Sequence, residues 1–118
     1  MAPETVTIAD NAAIITRQRH IVDIPPLCSR THNPLAGSSV ELSYVPAANR
    51  VLEVYSLTDY IHGFYGNEIV RDIEQFALVV AQECADALGV QIETAVTFVL
   101  NIGQSVTTWV TAMPGEKG

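Results

Sequence analysis

Hydrophobic and polar residues alternate along several stretches of this chain, and one stretch switches to a helical period. Residues 14–24 alternate, with Ile15, Arg17, Arg19 and Ile21 on one side and Thr16, Gln18, His20 and Val22 on the other. That two-residue period predicts a strand, and Pro25-Pro26 ends it because proline cannot donate to a β-ladder. Residues 27–38 carry no period and are broken by Asn33-Pro34 and Gly37, which predicts a loop. Alternation resumes over 39–45, with Val40, Leu42 and Tyr44 on one face. Pro46 to Asn49 read as a turn and 50–56 as a second strand, so that the pair looks like a hairpin. Residues 57–63 predict a short helix with Ser56 as its N-cap.

The strongest helical signal covers 67–88. Ile69, Ile73, Phe76, Val80, Cys84 and Ala87 recur at steps of three and four, Asn67 can cap, and Gly89 stands where a helix stops. Residues 90–100 alternate again, a Gly-containing turn follows at 101–104, and 105–112 form a β-branched strand. The order is strand, loop, strand, strand, helices, strand, strand. It predicts a single α+β domain over 1–118, an antiparallel sheet with helices packed on one face. Residues 1–12 and 113–118 are expected to be flexible.

Composition narrows the possible functions. Apolar residues make up 48% of 118, enough to build a core. No apolar run reaches the length of a membrane span, and no basic segment precedes a hydrophobic block as in an export signal. The formal charge of −7 is a poor match for a phosphate backbone, so direct nucleic-acid binding by a monomer is not expected. The two cysteines, Cys28 and Cys84, form no paired motif and read as thiols of a reducing, cytoplasmic compartment.

Few residues can carry chemistry. Cys28 opens the irregular loop after a strand, with Arg30 and His32 near enough in sequence to favour its thiolate. It reads either as a nucleophile or as a half-buried structural thiol. Cys84 lies on the apolar helical stripe and reads as core. Glu74, inside the long helix, could accept a donor pair from a guanine-like edge, or be an exposed helix residue. Glu53 alternates with Leu52 and Val54 and reads as outward-facing. Cys28 and His32 give half a zinc site with no second half, so no metal is expected. The phosphate-cradling glycine loops and the GxSxG elbow are absent.

With Cys28 and the strands placed, the chain resembles the tunnelling-fold 7-cyano-7-deazaguanine reductase (QueF) family over roughly residues 20–100. The matching pieces, in order, are Leu27-Cys28-Ser29-Arg30-Thr31, Asn33-Pro34, Ser43-Tyr44-Val45-Pro46, Leu52-Glu53-Val54-Tyr55-Ser56-Leu57 and Ile73-Glu74. The resemblance implies a tunnelling fold and a homo-oligomer with active sites at subunit interfaces. It also implies a cysteine, Cys28, that adds to the nitrile of a 7-deazaguanine base to give a thioimide. Glu74 would anchor the base edge, with Glu53 and Ser56 also binding substrate.

The chain departs from the family in three places. Leu35 stands where the reductase has its proton-donating aspartate, which leaves His32 as the candidate donor. Ile73 replaces the histidine before the anchoring glutamate. Tyr55 and Thr58 replace two lysines that would meet the phosphates of NADPH. The resemblance is therefore closest to the short QueF-like amidinotransferase branch, which passes ammonia to the thioimide and needs no cofactor. An NADPH-dependent nitrile reductase and a non-catalytic oligomer holding a purine-like ligand are the alternatives.

Overall fold

The computed structural model describes residues 2–27, 33–65 and 73–115. Among these residues it is an α+β structure with two antiparallel sheets and two α-helices. The strands are β1 (Thr5–Thr7), β2 (Gln18–Asp23), β3 (Ser39–Tyr44), β4 (Arg50–Leu52), β5 (Ile92–Val99) and β6 (Ser105–Ala112). The helices are α1 (Val54–His62) and α2 (Ile73–Leu88). The main sheet has the order β2-β3-β5-β6, and β1 pairs with β4 in a two-stranded sheet. No described helix is long and apolar enough to cross a membrane.

Alternation sets the register of the main sheet. Across it, His20 faces Leu42, Leu42 faces Thr94, and Thr94 faces Val110; the parallel row is Val22, Val40, Val96 and Thr108. A slip by one residue would turn these apolar positions out to water, so burial of one face fixes the pairing. Helix α2 supplies the cover. Phe76, Ala77, Val80, Ala81, Cys84, Ala85 and Leu88 are all buried along one stripe. The three alanines on this stripe were not among the recurring positions singled out from the sequence. Their short side chains keep the helix close to the sheet. Phe64, Phe76 and Phe98 continue the core as tilted or edge-on ring contacts, with centroids 5.1 and 5.7 Å apart.

The end of α2 is closed by glycine and arginine together. Gly89 takes a φ of +70°, the left-handed conformation that costs glycine least, and its N–H donates to the Ala85 carbonyl at 2.8 Å. Arg50 on β4 then donates to the Ala87 carbonyl at 3.1 Å and to the Leu88 carbonyl at 2.7 Å. These carbonyls have no partner within the helix, and a cation there also complements the helix dipole.

Four expectations change. The hairpin between 39–45 and 50–56 does not form, because β3 pairs with β2 and β5 while β4 pairs with β1. The strand expected over 50–56 stops at Leu52. The Glu53 carboxylate accepts the N–H groups of Tyr55 at 3.1 Å and Ser56 at 2.6 Å, which starts α1 there instead of at Ser56. The segment 1–12 is not a free arm. Thr5–Thr7 pair with β4, the Ile8 N–H donates to the Asn49 carbonyl, and the buried Asn49 amide donates to the carbonyls of Asn11 and Ile14. At the other end, the Gly115 N–H reaches Asp86 and the Met113 carbonyl accepts from Gln82, so the chain lies against α2 as far as residue 115. The expected Asn67 cap lies outside the described residues.

Candidate functional site

The loop after β2 is fixed at both ends. Leu27 is buried, and its N–H donates to the Asn33 carbonyl at 2.8 Å. The Asn33 side chain bonds to Asn101 twice, donating to its side-chain oxygen at 3.2 Å and accepting its N–H at 3.0 Å. Leu35 donates its N–H to the Val99 carbonyl at 2.7 Å. The Ser38 hydroxyl donates to the Leu35 carbonyl and accepts the Val99 N–H, at 2.7 and 2.8 Å. The β2–β3 connection is thereby tied to the end of β5 and the turn beyond it. Cys28 and His32 themselves lie outside the described residues.

Glu53 and Ser56 come together. They border a cleft of about 350 Å³ with Glu4, Tyr55, Asp59 and Tyr60. Both already have partners in the fold. Glu53 caps α1, and the Ser56 hydroxyl accepts the Glu4 N–H at 2.8 Å, which holds the residue before β1 against the helix. At the back of the cleft the Tyr60 hydroxyl donates to Glu83 at 2.6 Å. Burial, and then that bond to a carboxylate, push the Tyr60 phenol far above its ordinary range, so it acts as a donor and not as a phenolate. Glu74 is exposed in the first turn of α2 and is not among the described residues lining this cleft.

Cys84 has the core position expected of it. Burial, with the nearby charge of Glu83 adding to it, pushes its thiol up to about 12, so it carries almost no thiolate at neutral pH. Beside it lies a small polar group that the sequence did not single out. The Tyr44 hydroxyl meets His20 Nε2 at 2.9 Å and accepts the Leu52 N–H at 2.8 Å, with the two rings stacked. Desolvation lowers the His20 pKa, so burial favours the neutral imidazole.

Another hollow lies on the face of the main sheet that α2 leaves open. It measures about 620 Å³ and is bordered by Arg17, Arg19, Glu41, Glu93, Ala95 and Trp109 among others. The sequence placed Arg17 and Arg19 together on one side of a strand. It gave no sign that Glu93 and Trp109, from strands far along the chain, would join them. Among the described residues no group of three His, Cys, Asp or Glu side chains is placed to hold a metal ion. No family model matches the chain, and no curated protein matches it either.

Proposed function

We propose that this chain is a tunnelling-fold enzyme of 7-deazaguanine chemistry, acting as the QueF-like amidinotransferase branch does. The Cys28 thiol adds across the nitrile of 7-cyano-7-deazaguanine. The sulfur bonds to the nitrile carbon and the proton goes to the nitrogen, giving a covalent thioimide. Ammonia then adds to the same carbon, the carbon–sulfur bond breaks, and the amidine leaves with Cys28 restored as a thiol. A nitrile is a weak electrophile, so the step needs a thiolate and a proton donor beside it. His32 takes that second role, since Leu35 stands where the family carries its aspartate.

The observation that carries this reading is the bond from the Leu27 N–H to the Asn33 carbonyl. It joins the two described residues that flank Cys28 and His32 in the chain, and nucleophiles tend to sit on connections that a folded scaffold anchors. The order of elements agrees with it, with α1 and α2 falling between the pairs β2–β3 and β5–β6. Glu74 is exposed and open to paired N–H donors of the base. Glu53 caps α1 and its carboxylate has further lone-pair directions for substrate, with Ser56 beside it in a separate cleft.

Beyond one subunit, β2 and β6 are the outer strands of the main sheet, and pairing of these edges between copies would complete a homo-oligomer with sites at its interfaces. A reducing cytoplasm would keep Cys28 as a thiol. The amidinotransferase reading is favoured over the NADPH-dependent one because Tyr55, 80% exposed, and Thr58 offer no cation to the cofactor's phosphates.

Intact-mass measurement after incubation with 7-cyano-7-deazaguanine tests the proposal. The expected result is a single adduct equal in mass to the whole base, absent in Cys28→Ala and discharged by ammonium with release of the amidine. Failure of the wild type to form an adduct, or an adduct that survives Cys28→Ala, would overturn it. Base-dependent oxidation of NADPH would favour the reductase instead.

A further inference from the structure

The uncovered face of the main sheet carries a second concave site, independent of Cys28. Its floor includes the outward row Glu41, Ala95 and Trp109, neighbours across three strands. Arg19 and Glu41 neutralise one another in an ion pair. Two further charges in the hollow, Arg17 and Glu93, form no ion pair among the described residues. Both also border an adjoining hollow of about 250 Å³, as does Ser43, the strand partner of Glu93, so the two hollows share these residues. Trp109 is 76% exposed and stands directly opposite Ala95, whose methyl group leaves room beside the indole. The site therefore presents an unmatched cation, an unmatched carboxylate and an open aromatic surface.

We propose that this groove binds a short zwitterionic peptide of two or three residues. Its terminal carboxylate meets Arg17, its terminal ammonium meets Glu93, and a planar N-terminal side chain packs over Ala95 against Trp109. The spacing of the backbones favours a peptide over a free amino acid. Arg17 precedes β2 and Glu93 lies on β5, and the backbones of these two strands are two strand spacings, or about 10 Å, apart. A single residue spans only about 3.5 Å, whereas two or three span about 7–10 Å. A volume of about 620 Å³ falls in the range of small-molecule sites. Charge argues against a nucleic acid, since the two arginines of the groove are balanced by Glu41 and Glu93 and leave no surplus cation for phosphate.

Trp109 is the only tryptophan of the chain, so its emission reports on this groove alone. The test titrates the full chain with the dipeptide Phe-Ala, its N-acetyl form and its C-terminal amide. Phe-Ala is expected to change the emission saturably. Blocking either terminus should weaken binding about three- to fivefold, the worth of one exposed ion pair. Arg17→Gln should bind Phe-Ala and its amide alike, and Glu93→Gln should bind the free and acetylated peptides alike. Both residues are exposed, so neither change threatens the fold. A flat titration, or blocked peptides that bind as tightly as the free one, would overturn the proposal. So would Phe-Ala binding that is unchanged in both Arg17→Gln and Glu93→Gln, because the peptide would then sit elsewhere.

Discussion

The two faces of the main sheet are made by alternate residues of the same four strands, and they differ in almost everything else. On the inner face Val40, Leu42, Ile92 and Val96 are fully buried under α2. On the outer face Ile21 is 62% exposed, and the row it begins runs through Glu41 and Ala95 to Trp109. Strand propensity cannot explain the contrast, because β-branched and aromatic residues occur on both sides. The inner face is set by what packs on it, and the outer face is free to vary. Stability should therefore be concentrated on one side and recognition on the other.

The largest effect is expected where the inner face meets α2. Phe76 is buried between Phe64 and Phe98, and truncating it leaves a cavity that both rings border. Phe76→Ala should cost about 3–5 kcal/mol in urea unfolding. A loss below about 1 kcal/mol would mean that the inner face can collapse around the gap and is not closely packed.

The inner face was the part of the fold most legible in the sequence. Val40, Leu42 and Tyr44, and then Ile92, Thr94, Val96 and Phe98, announce it by strict alternation. What stayed hidden was non-local or carried by a single side chain. Thr5–Thr7 is too short to show a period, and its partner Leu52 lies far along the chain. Residues 53–56 look like a strand until the Glu53 carboxylate takes up two backbone N–H groups and turns the chain into a helix. Of the candidate site residues, Glu53 and Ser56 share a cleft but are also occupied in holding α1 and the N-terminal segment. The outer groove could not be foreseen, because Arg17, Glu93 and Trp109 become neighbours only through the strand order.

The inner face also buries polar groups, and these give the next effects. Tyr44→Phe keeps the ring stacked on His20 but removes the hydroxyl that serves both His20 and the Leu52 N–H. Leaving that buried donor unpaired should cost about 1–3 kcal/mol. The same pair predicts a pH dependence. With the folded-state pKa of His20 lowered by burial, the unfolded chain binds the extra proton first as pH falls below the ordinary 6.5. The contribution is whole above 6.5 and is lost as pH falls through the lowered folded-state value. Stability measured from pH 7 downward should decline more steeply in the wild type than in His20→Gln. Equal slopes would show that His20 titrates as it does in the unfolded chain.

Thr94 reverses the sign. Its hydroxyl is buried with no partner among the described residues, between Leu42 and Val110. Thr94→Val keeps the branched shape and removes an uncompensated polar group, so it should stabilise the protein by about 1 kcal/mol. A lower urea midpoint in this variant would show that the hydroxyl finds a partner, and that the inner face is less dry than its neighbours suggest.

The smallest effect is expected from the most conspicuous residue of the outer face. Trp109→Thr exchanges one good strand former for another at a position with water on one side and Ala95 opposite. An exposed site away from caps and core contacts should change stability by no more than about 0.5 kcal/mol. Far-UV circular dichroism during urea unfolding measures it, since the variant has no tryptophan to follow. A cost well above 1 kcal/mol would mean that something covers this face in solution, and the contrast between the two faces would disappear. A change within the expected limit leaves Trp109 without a structural reason to be aromatic. Its indole would then serve what arrives in the groove and not what lies beneath it.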